Sequence, residues 1–340
     1  MLAVATCTLL AFTAPSSVSR RTARVSSSIR TARVSSSIRT ARVSSSIRLD
    51  AAASASQRSA AVIGAGPAGL LTAIMLSQRG WKDISVFDGR AAPPLPNDPM
   101  WGAGERSYQL GLNGRGQRSL REFGVMPRVS EYAASVNGRL SFDATTGAPV
   151  EQRLIPPGEP GAEKPYVTRV LQRDRLQACL LEEVTERYPQ VKLEFKTTCD
   201  GLDVGGARPA VRLCGASLVG EESDGCDLQT ARREFDLIVG ADGVRSAIRE
   251  SLARLPGAST RTVRFPDNNE RRYKTLALHP SAVAGTASDL NWGCRNKSLE
   301  LGMDALPTME GNMYVCAVLD LPSTAIGLTM DCELIGTRYA

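Results

Sequence analysis

Apolar residues in this chain follow two spacings, and the places where one gives way to the other mark its elements. Ala60-Ala61-Val62-Ile63 is an unbroken apolar run, the pattern of a strand buried in a parallel sheet. From Pro67 to Arg79 the spacing becomes helical, with Leu70/Ile74 and Leu71/Met75 four apart, and Gly80 supplies a stop. Ile84-Ser85-Val86-Phe87 is a second apolar run. A proline-rich loop covers Ala91 to Pro99, and Asn113 to Phe123 reads as a short helix. Between about 130 and 170 the pattern is short strands, with turns at Asn137-Gly138, Thr146-Gly147 and Pro156-Pro157-Gly158. Arg173 to Tyr188 predicts an amphipathic helix with apolar positions 176, 180, 184 and 188 plus Cys179. Val191–Phe195 and Phe235–Gly240 read as strands, the second running into a turn and a new helix over 241–249. From about 260 to 320 the pattern is mostly strands.

The first strand meets the first helix through Gly64-Ala65-Gly66-Pro67-Ala68-Gly69, a G-x-G-x-x-G turn. Nineteen residues past Gly69, the second apolar run ends in an acid, Asp88. Strand, glycine turn, helix, strand and acid are the parts of a dinucleotide-binding βαβ unit. Gly64 permits the tight turn, Gly66 lets backbone approach a pyrophosphate, and Gly69 lets helix and strand pack closely. Free N–H groups and the helix dipole favour an anion at the start of the helix. A carboxylate at Asp88 would accept ribose hydroxyls and argues against a 2′-phosphate there. The competing reading is a glycine turn with no ligand. Taken alone, the turn leaves NAD, NADP and FAD open.

Composition changes the picture chiefly at the N-terminus. The chain has 340 residues, room for about two domains, and a net charge of +6. Residues 1–49 hold eight arginines and no acid, which leaves 33 basic against 35 acidic residues in the remainder. The basic balance therefore belongs to that segment, and a nucleic-acid role for the folded part loses its support. Eight cysteines are scattered without a C-x-x-C, and His279 is the only histidine, which argues against both a zinc site and a disulfide framework. No apolar run is long enough to span a bilayer.

Residues 1–57 read as an address. An apolar segment over 2–14 precedes a Ser/Arg-rich, acid-poor stretch in which Thr-Ala-Arg-Val-Ser-Ser-Ser-Ile-Arg occurs three times, at 22–30, 31–39 and 40–48. A nine-residue polar repeat cannot bury a face, so it does not predict a solenoid. The composition matches an organelle transit peptide. Leu9-Leu10-Ala11-Phe12-Thr13-Ala14-Pro15 resembles the cleavage region of two-part plastid presequences. Plastid import is the expectation, with the mitochondrion second and a disordered low-complexity tail as the bland alternative.

Three separated motifs carry a family resemblance. They are the glycine turn, Arg173-Asp174-Arg175-Leu176 opening a helix, and Gly240-Ala241-Asp242-Gly243 with Ser246 and Arg249. In order and spacing they resemble the FAD-dependent aromatic hydroxylase (flavoprotein monooxygenase) family, nearest its kynurenine-hydroxylase branch. Arg106 to Leu112 with Arg115-Gly116, Glu186 to Lys192, and Leu299 to Leu319 with Pro307 and Met313 extend the likeness over roughly residues 58–320.

The resemblance implies an α/β fold. A Rossmann-like FAD-binding domain (58–130 and 165–255) would interleave with a mixed or antiparallel β-sheet substrate domain (131–164 and 256–325), like p-hydroxybenzoate hydroxylase. It implies FAD as cofactor, NADPH as co-substrate, O₂ and an aromatic small molecule, with oxygen delivered through a flavin hydroperoxide. No catalytic acid or base is implied, because the cofactor carries the hard chemistry. Gly64, Gly66, Ala68, Gly69, Asp88, Arg90, Arg115, Arg173, Asp242 and Gly243 would bind FAD. Arg173 would lie near the phosphates, and Asp242 near the ribityl chain or pyrophosphate. Arg139 would hold a substrate carboxylate, for which a planar guanidinium fork is suited; a strand arginine facing water is the other reading. Pro157 stands where the family's partner tyrosine falls, so that hydroxyl donor is missing and kynurenine itself does not follow.

The family also has a strand ending in Gly-Asp after the substrate sheet, and no such segment follows here, the tail over 326–340 included. The expectation is a C-terminally truncated chain. Two other functions stay open: a plastid isoprenoid epoxidase or reductase of the same fold, and a non-catalytic flavin-binding protein.

Overall fold

A computed structural model describes residues 58–102, 108–143, 146, 148–153, 167–215, 230–255, 263–265, 272–278, 289–296 and 301–319. Residues 1–57, Arg106-Ser107, the turn at 156–158 with Pro157, His279 and the tail over 326–340 lie outside these residues.

The apolar run becomes β1 (Ser59–Ile63), and the helical spacing becomes α1 (Pro67–Gln78). With β2 (Asp83–Asp88), β8 (Val191–Phe195) and β12 (Leu237–Gly240), β1 forms a four-stranded parallel sheet in the order β12-β1-β2-β8. One face is covered by α1 and α4 (Arg173–Arg187), whose Leu70, Ile74, Leu176, Leu180 and Val184 bury against Val62, Ile84 and Val86. The predicted helical positions 176, 180 and 184 are thus the ones that turn inward. Against the other face lies an antiparallel sheet, β9 (Thr197–Asp203), β10 (Ala210–Gly215) and β11 (Thr230–Glu234), together with α5 (Ala247–Ala253). Phe87, Leu213, Phe235, Ile238 and Ile248 fill that second core. Alternate residues of β1 supply both cores, as a strand covered on each side requires.

The rest of the chain forms two sheets. A six-stranded sheet has the order β13-β16-β15-β14-β5-β6, from β5 (Gly138–Phe142), β6 (Pro149–Arg153), β13 (Arg272–Ala277), β14 (Leu290–Asn296), β15 (Leu301–Pro307) and β16 (Met313–Leu319). All its pairs are antiparallel except β14 with β5. A small sheet, β3 (Gln109–Leu112), β7 (Thr168–Gln172) and β4 (Ala134–Val136), lies between it and the first core. β4 therefore pairs with β7 and not with the six-stranded sheet, although it falls within the stretch expected to join the latter.

Several elements had no expectation from sequence, β3 among them. Helix α3 (Met126–Glu131) follows α2 (Gly114–Glu122), and its Arg128 meets Glu182, Glu183 and Glu186 on α4. Burial works against the Arg128 charge, but the three carboxylates outweigh it and hold its pKa above the usual range. The β9-β10-β11 sheet is another. Among the described residues no helix is long and apolar enough to cross a membrane.

Candidate functional site

The glycine turn is shaped by close backbone approaches that only hydrogen side chains allow. Gly64 adopts φ +102°, in the left-handed region, and a Cβ there would lie 2.4 Å from the Ala241 carbonyl oxygen. A Cβ on Gly69 would lie 1.8 Å from the Gly64 carbonyl oxygen, so helix and turn touch as the motif predicts. Gly66 is the N-cap of α1, with no side chain capping the helix and no acid in its first turn. The first intrahelical bond runs from the Leu70 N–H to the Gly66 carbonyl at 3.0 Å, which leaves the N–H groups of Ala68 and Gly69 to a ligand.

Arg173, the first residue of α4, reaches this point. One guanidinium nitrogen is 3.5 Å from where a Gly66 Cβ would sit, and the Arg173 N–H donates to the Tyr108 carbonyl at 3.1 Å. Its side chain is about one quarter exposed and pairs with Asp174. Free helix N–H groups, missing side-chain bulk and a partly exposed guanidinium fit a pyrophosphate.

Asp88, at the end of β2, is 8% exposed. Its Oδ2 accepts the Ala65 N–H at 2.9 Å, and its Oδ1 accepts the Arg90 N–H at 2.9 Å. The carboxylate thus braces the glycine turn while keeping lone pairs for a ribose. Arg90 is exposed, with Nε 3.6 Å from Asp88 Oδ1. On the other side of the turn, Asp242 has both oxygens engaged. Oδ1 accepts from Ser246 Oγ at 2.6 Å, and Oδ2 from the Ile248 N–H at 3.3 Å. Its carboxylate fixes the start of α5, while its backbone packs against Gly64. Gly243 follows at φ +81°.

The structure therefore brings Gly64, Gly66, Ala68, Gly69, Asp88, Arg173 and Asp242 together around one turn, with Arg90 and Gly243 at its rim. Arg115 makes no contact with the turn among the hydrogen bonds and ion pairs of the described residues. It is exposed in the first turn of α2, its N–H donating to Asn113 Oδ1 at 3.1 Å, and its guanidinium has no partner among the described residues.

Arg139 lies on the six-stranded sheet. It donates to Asp304 Oδ1 at 3.0 Å and to Ser141 Oγ at 3.2 Å, and its guanidinium lies across Gly293. Asp304 also pairs with Arg295. Neither sequence reading of Arg139 anticipated this partner, because Asp304 lies 165 residues away.

Sequence reasoning also missed Arg175. This residue is buried, donates to the Pro96 carbonyl at 2.8 Å, pairs with Glu310 in the β15–β16 turn, and stacks 5.0 Å from the Tyr132 ring centre. Burial alone would raise the Glu310 pKa, but Arg175 holds it below the usual range. A second arginine on the opening turn of an otherwise amphipathic helix was the available signal. Burial pushes the Cys179 thiol up to about 12 and the Cys199 thiol up to about 11, so both stay protonated near neutral pH.

Comparison with known proteins gives the chain a family and a fold. A family model described as "FAD binding domain" matches residues 57–265. Kynurenine 3-monooxygenase of Xanthomonas euvesicatoria pv. vesicatoria (strain 85-10) is 30% identical over 230 residues, 68% of this chain and 44% of that protein. The enzyme of that name from Xanthomonas campestris pv. campestris (strain 8004) is 30% identical over 237 residues, 70% and 46% of the two chains. This chain thus spans less than half the length of these curated relatives. Among solved structures, the flavin-dependent monooxygenase PieE in complex with FAD and substrate is 18% identical with TM-score 0.60, over 83% of this chain and 46% of that one. The p-nitrophenol 4-monooxygenase PnpA of Pseudomonas putida DLL-E4 is 15% identical with TM-score 0.55, over 83% and 60%. These likenesses establish the fold. Since the family model covers more than half of it, the chain belongs to the FAD binding domain family, the flavoprotein group that its three motifs resemble.

Proposed function

We propose that this protein is an FAD-dependent monooxygenase that hydroxylates an aromatic small molecule at the expense of NADPH and O₂. The observation that carries the reading is the uncapped start of α1 with the Arg173 guanidinium set against Gly66. FAD, when bound, supplies the redox chemistry: two electrons from NADPH reduce O₂, one oxygen atom enters the ring and the other leaves as water.

The chain's residues bind and orient. The Ala68 and Gly69 N–H groups and Arg173 would take the pyrophosphate, and Asp88 the ribose hydroxyls. Arg139 would take a substrate carboxylate, in competition with Asp304. The likeness to kynurenine 3-monooxygenases supports an aromatic substrate with a carboxylate tail.

The test is to purify residues 58–340, record the visible spectrum, and follow NADPH oxidation with L-kynurenine and phenolic acids. Flavin near one equivalent and oxidation stimulated by one of these acids are expected. No flavin absorbance, or oxidation indifferent to every aromatic acid, would sink the reading.

We also propose plastid import by residues 1–57, on their arginine- and serine-rich, acid-poor composition. A fluorescent reporter fused to residues 1–57 should enter plastids; a diffuse cytosolic signal overturns this.

A further inference from the structure

Gln109 is 8% exposed, yet neither its amide nitrogen nor its carbonyl oxygen has a hydrogen-bond partner among the described residues. Buried side-chain amides are almost always satisfied, so one with both ends free points to a partner that the described residues do not supply. Its strand neighbours fix where it faces. Leu110 and Leu171, paired across β3 and β7, turn into the core beside α1 and α4. Gln109, one residue along, must turn to the opposite face of the small sheet. That face carries Val170 and Ala134, which pack with Leu306 of the six-stranded sheet. The amide therefore looks toward that sheet.

The facing surface holds a second amide whose oxygen is unsatisfied. Asn291 pairs in register with Arg139, and its Oδ1 is buried without a partner among the described residues. Trp292 pairs with Ala305, which places Asn291 one step along, beside Leu306. Arg139, Asn291 and Leu306 thus form one row across three strands, turned to the side from which Gln109 approaches. Gln109 also follows Tyr108, whose carbonyl accepts the Arg173 N–H at 3.1 Å, so it stands next to the anion cradle.

We propose that Gln109, with Asn291, binds a planar ligand edge in which an N–H lies beside a carbonyl oxygen. A carboxamide presents a donor and an acceptor side by side, and such an edge is its complement. The pyrimidine edge of a flavin and an ortho-amino aryl ketone both carry one. The proposal rests on the flavin reading above and adds the residue that recognises the uncharged part of the ligand.

The experiment compares the full chain with its Gln109→Leu and Asn291→Leu variants. Thermal midpoints are read without ligand, with FAD, and with L-kynurenine, and dissociation constants are taken from titrations of each shift. Ligand-free Gln109→Leu should melt at or above wild type, because an unsatisfied amide has been removed. Its affinity for one ligand should fall about tenfold or more, and which ligand it is identifies the source of the edge. Asn291→Leu should weaken the same ligand. Affinities for both ligands within twofold of wild type overturn the proposal, as does a lowered ligand-free midpoint, which would mean a purely structural role. A wild-type chain that FAD does not shift fails the monooxygenase reading by itself. One that neither ligand shifts fails both.

Discussion

At the glycine turn the surface offered to a ligand is backbone, brought close by the absence of side chains. On the six-stranded sheet it is side chains, held by one another across strands. Gly64, Gly66 and Gly69 shape the first region through contacts that admit no substituent. Arg139, Asp304 and Arg295 shape the second through ion pairs that are about two-fifths exposed or more on the arginine side. The first arrangement admits no added side chain, so an anion there would meet one fixed set of backbone donors. The second can exchange partners, because an exposed pair is worth little and a ligand carboxylate can replace Asp304.

The largest test of this contrast is Gly69→Ala. Its methyl would fall 1.8 Å from the Gly64 carbonyl oxygen, and we expect a loss of about 3 kcal/mol or more of stability together with flavin binding, read by denaturant melts. A variant that still folded and bound flavin would show that the turn is not backbone-limited. Next, Arg173→Met should weaken FAD by roughly tenfold to a hundredfold with little change in thermal midpoint. Equal weakening of fold and binding would mean that Arg173 is structural.

Arg175→Met strips the Pro96 carbonyl and the partly buried Glu310 of their partner, and should cost about 2 kcal/mol. The same pair gives a pH dependence. The Glu310 pKa is lowered in the fold from the ordinary 4.5, so its stabilisation is full above that value and is lost as pH falls through the depressed one. Glu310→Gln should therefore be less stable than wild type at neutral pH and equal to it in acid. A gap that persists in acid would contradict the charge assignment. The smallest effect is expected of Asp304→Asn, which frees Arg139 and should tighten an aromatic carboxylate by about two- to fivefold. Weaker binding instead would make Asp304 a residue that positions Arg139.

What could be read from sequence follows the same division. The βαβ unit was legible because its determinants are local: an apolar run, glycines at fixed offsets, and an acid nineteen residues past Gly69. The helix over Arg173–Arg187 was legible from its spacing, and its start was placed at the right residue. The partners of Arg139 and Arg175 were not, since Asp304 and Glu310 lie 165 and 135 residues away and no local pattern links them. The small sheet was hidden for a related reason. Its strands β3, β4 and β7 are three to five residues long and separated in the chain, so neither periodicity nor a hairpin turn joins them. Gln109 drew notice only as a letter within a motif, because a missing hydrogen bond has no signature in sequence.

Arg173 and Arg175 stand two residues apart on the opening turn of one helix, and helix positions so spaced point nearly opposite ways. One guanidinium lies against the glycine turn, and the other grips the tip of the β15–β16 hairpin. That turn of helix ties the glycine turn to the six-stranded sheet through two neighbouring side chains.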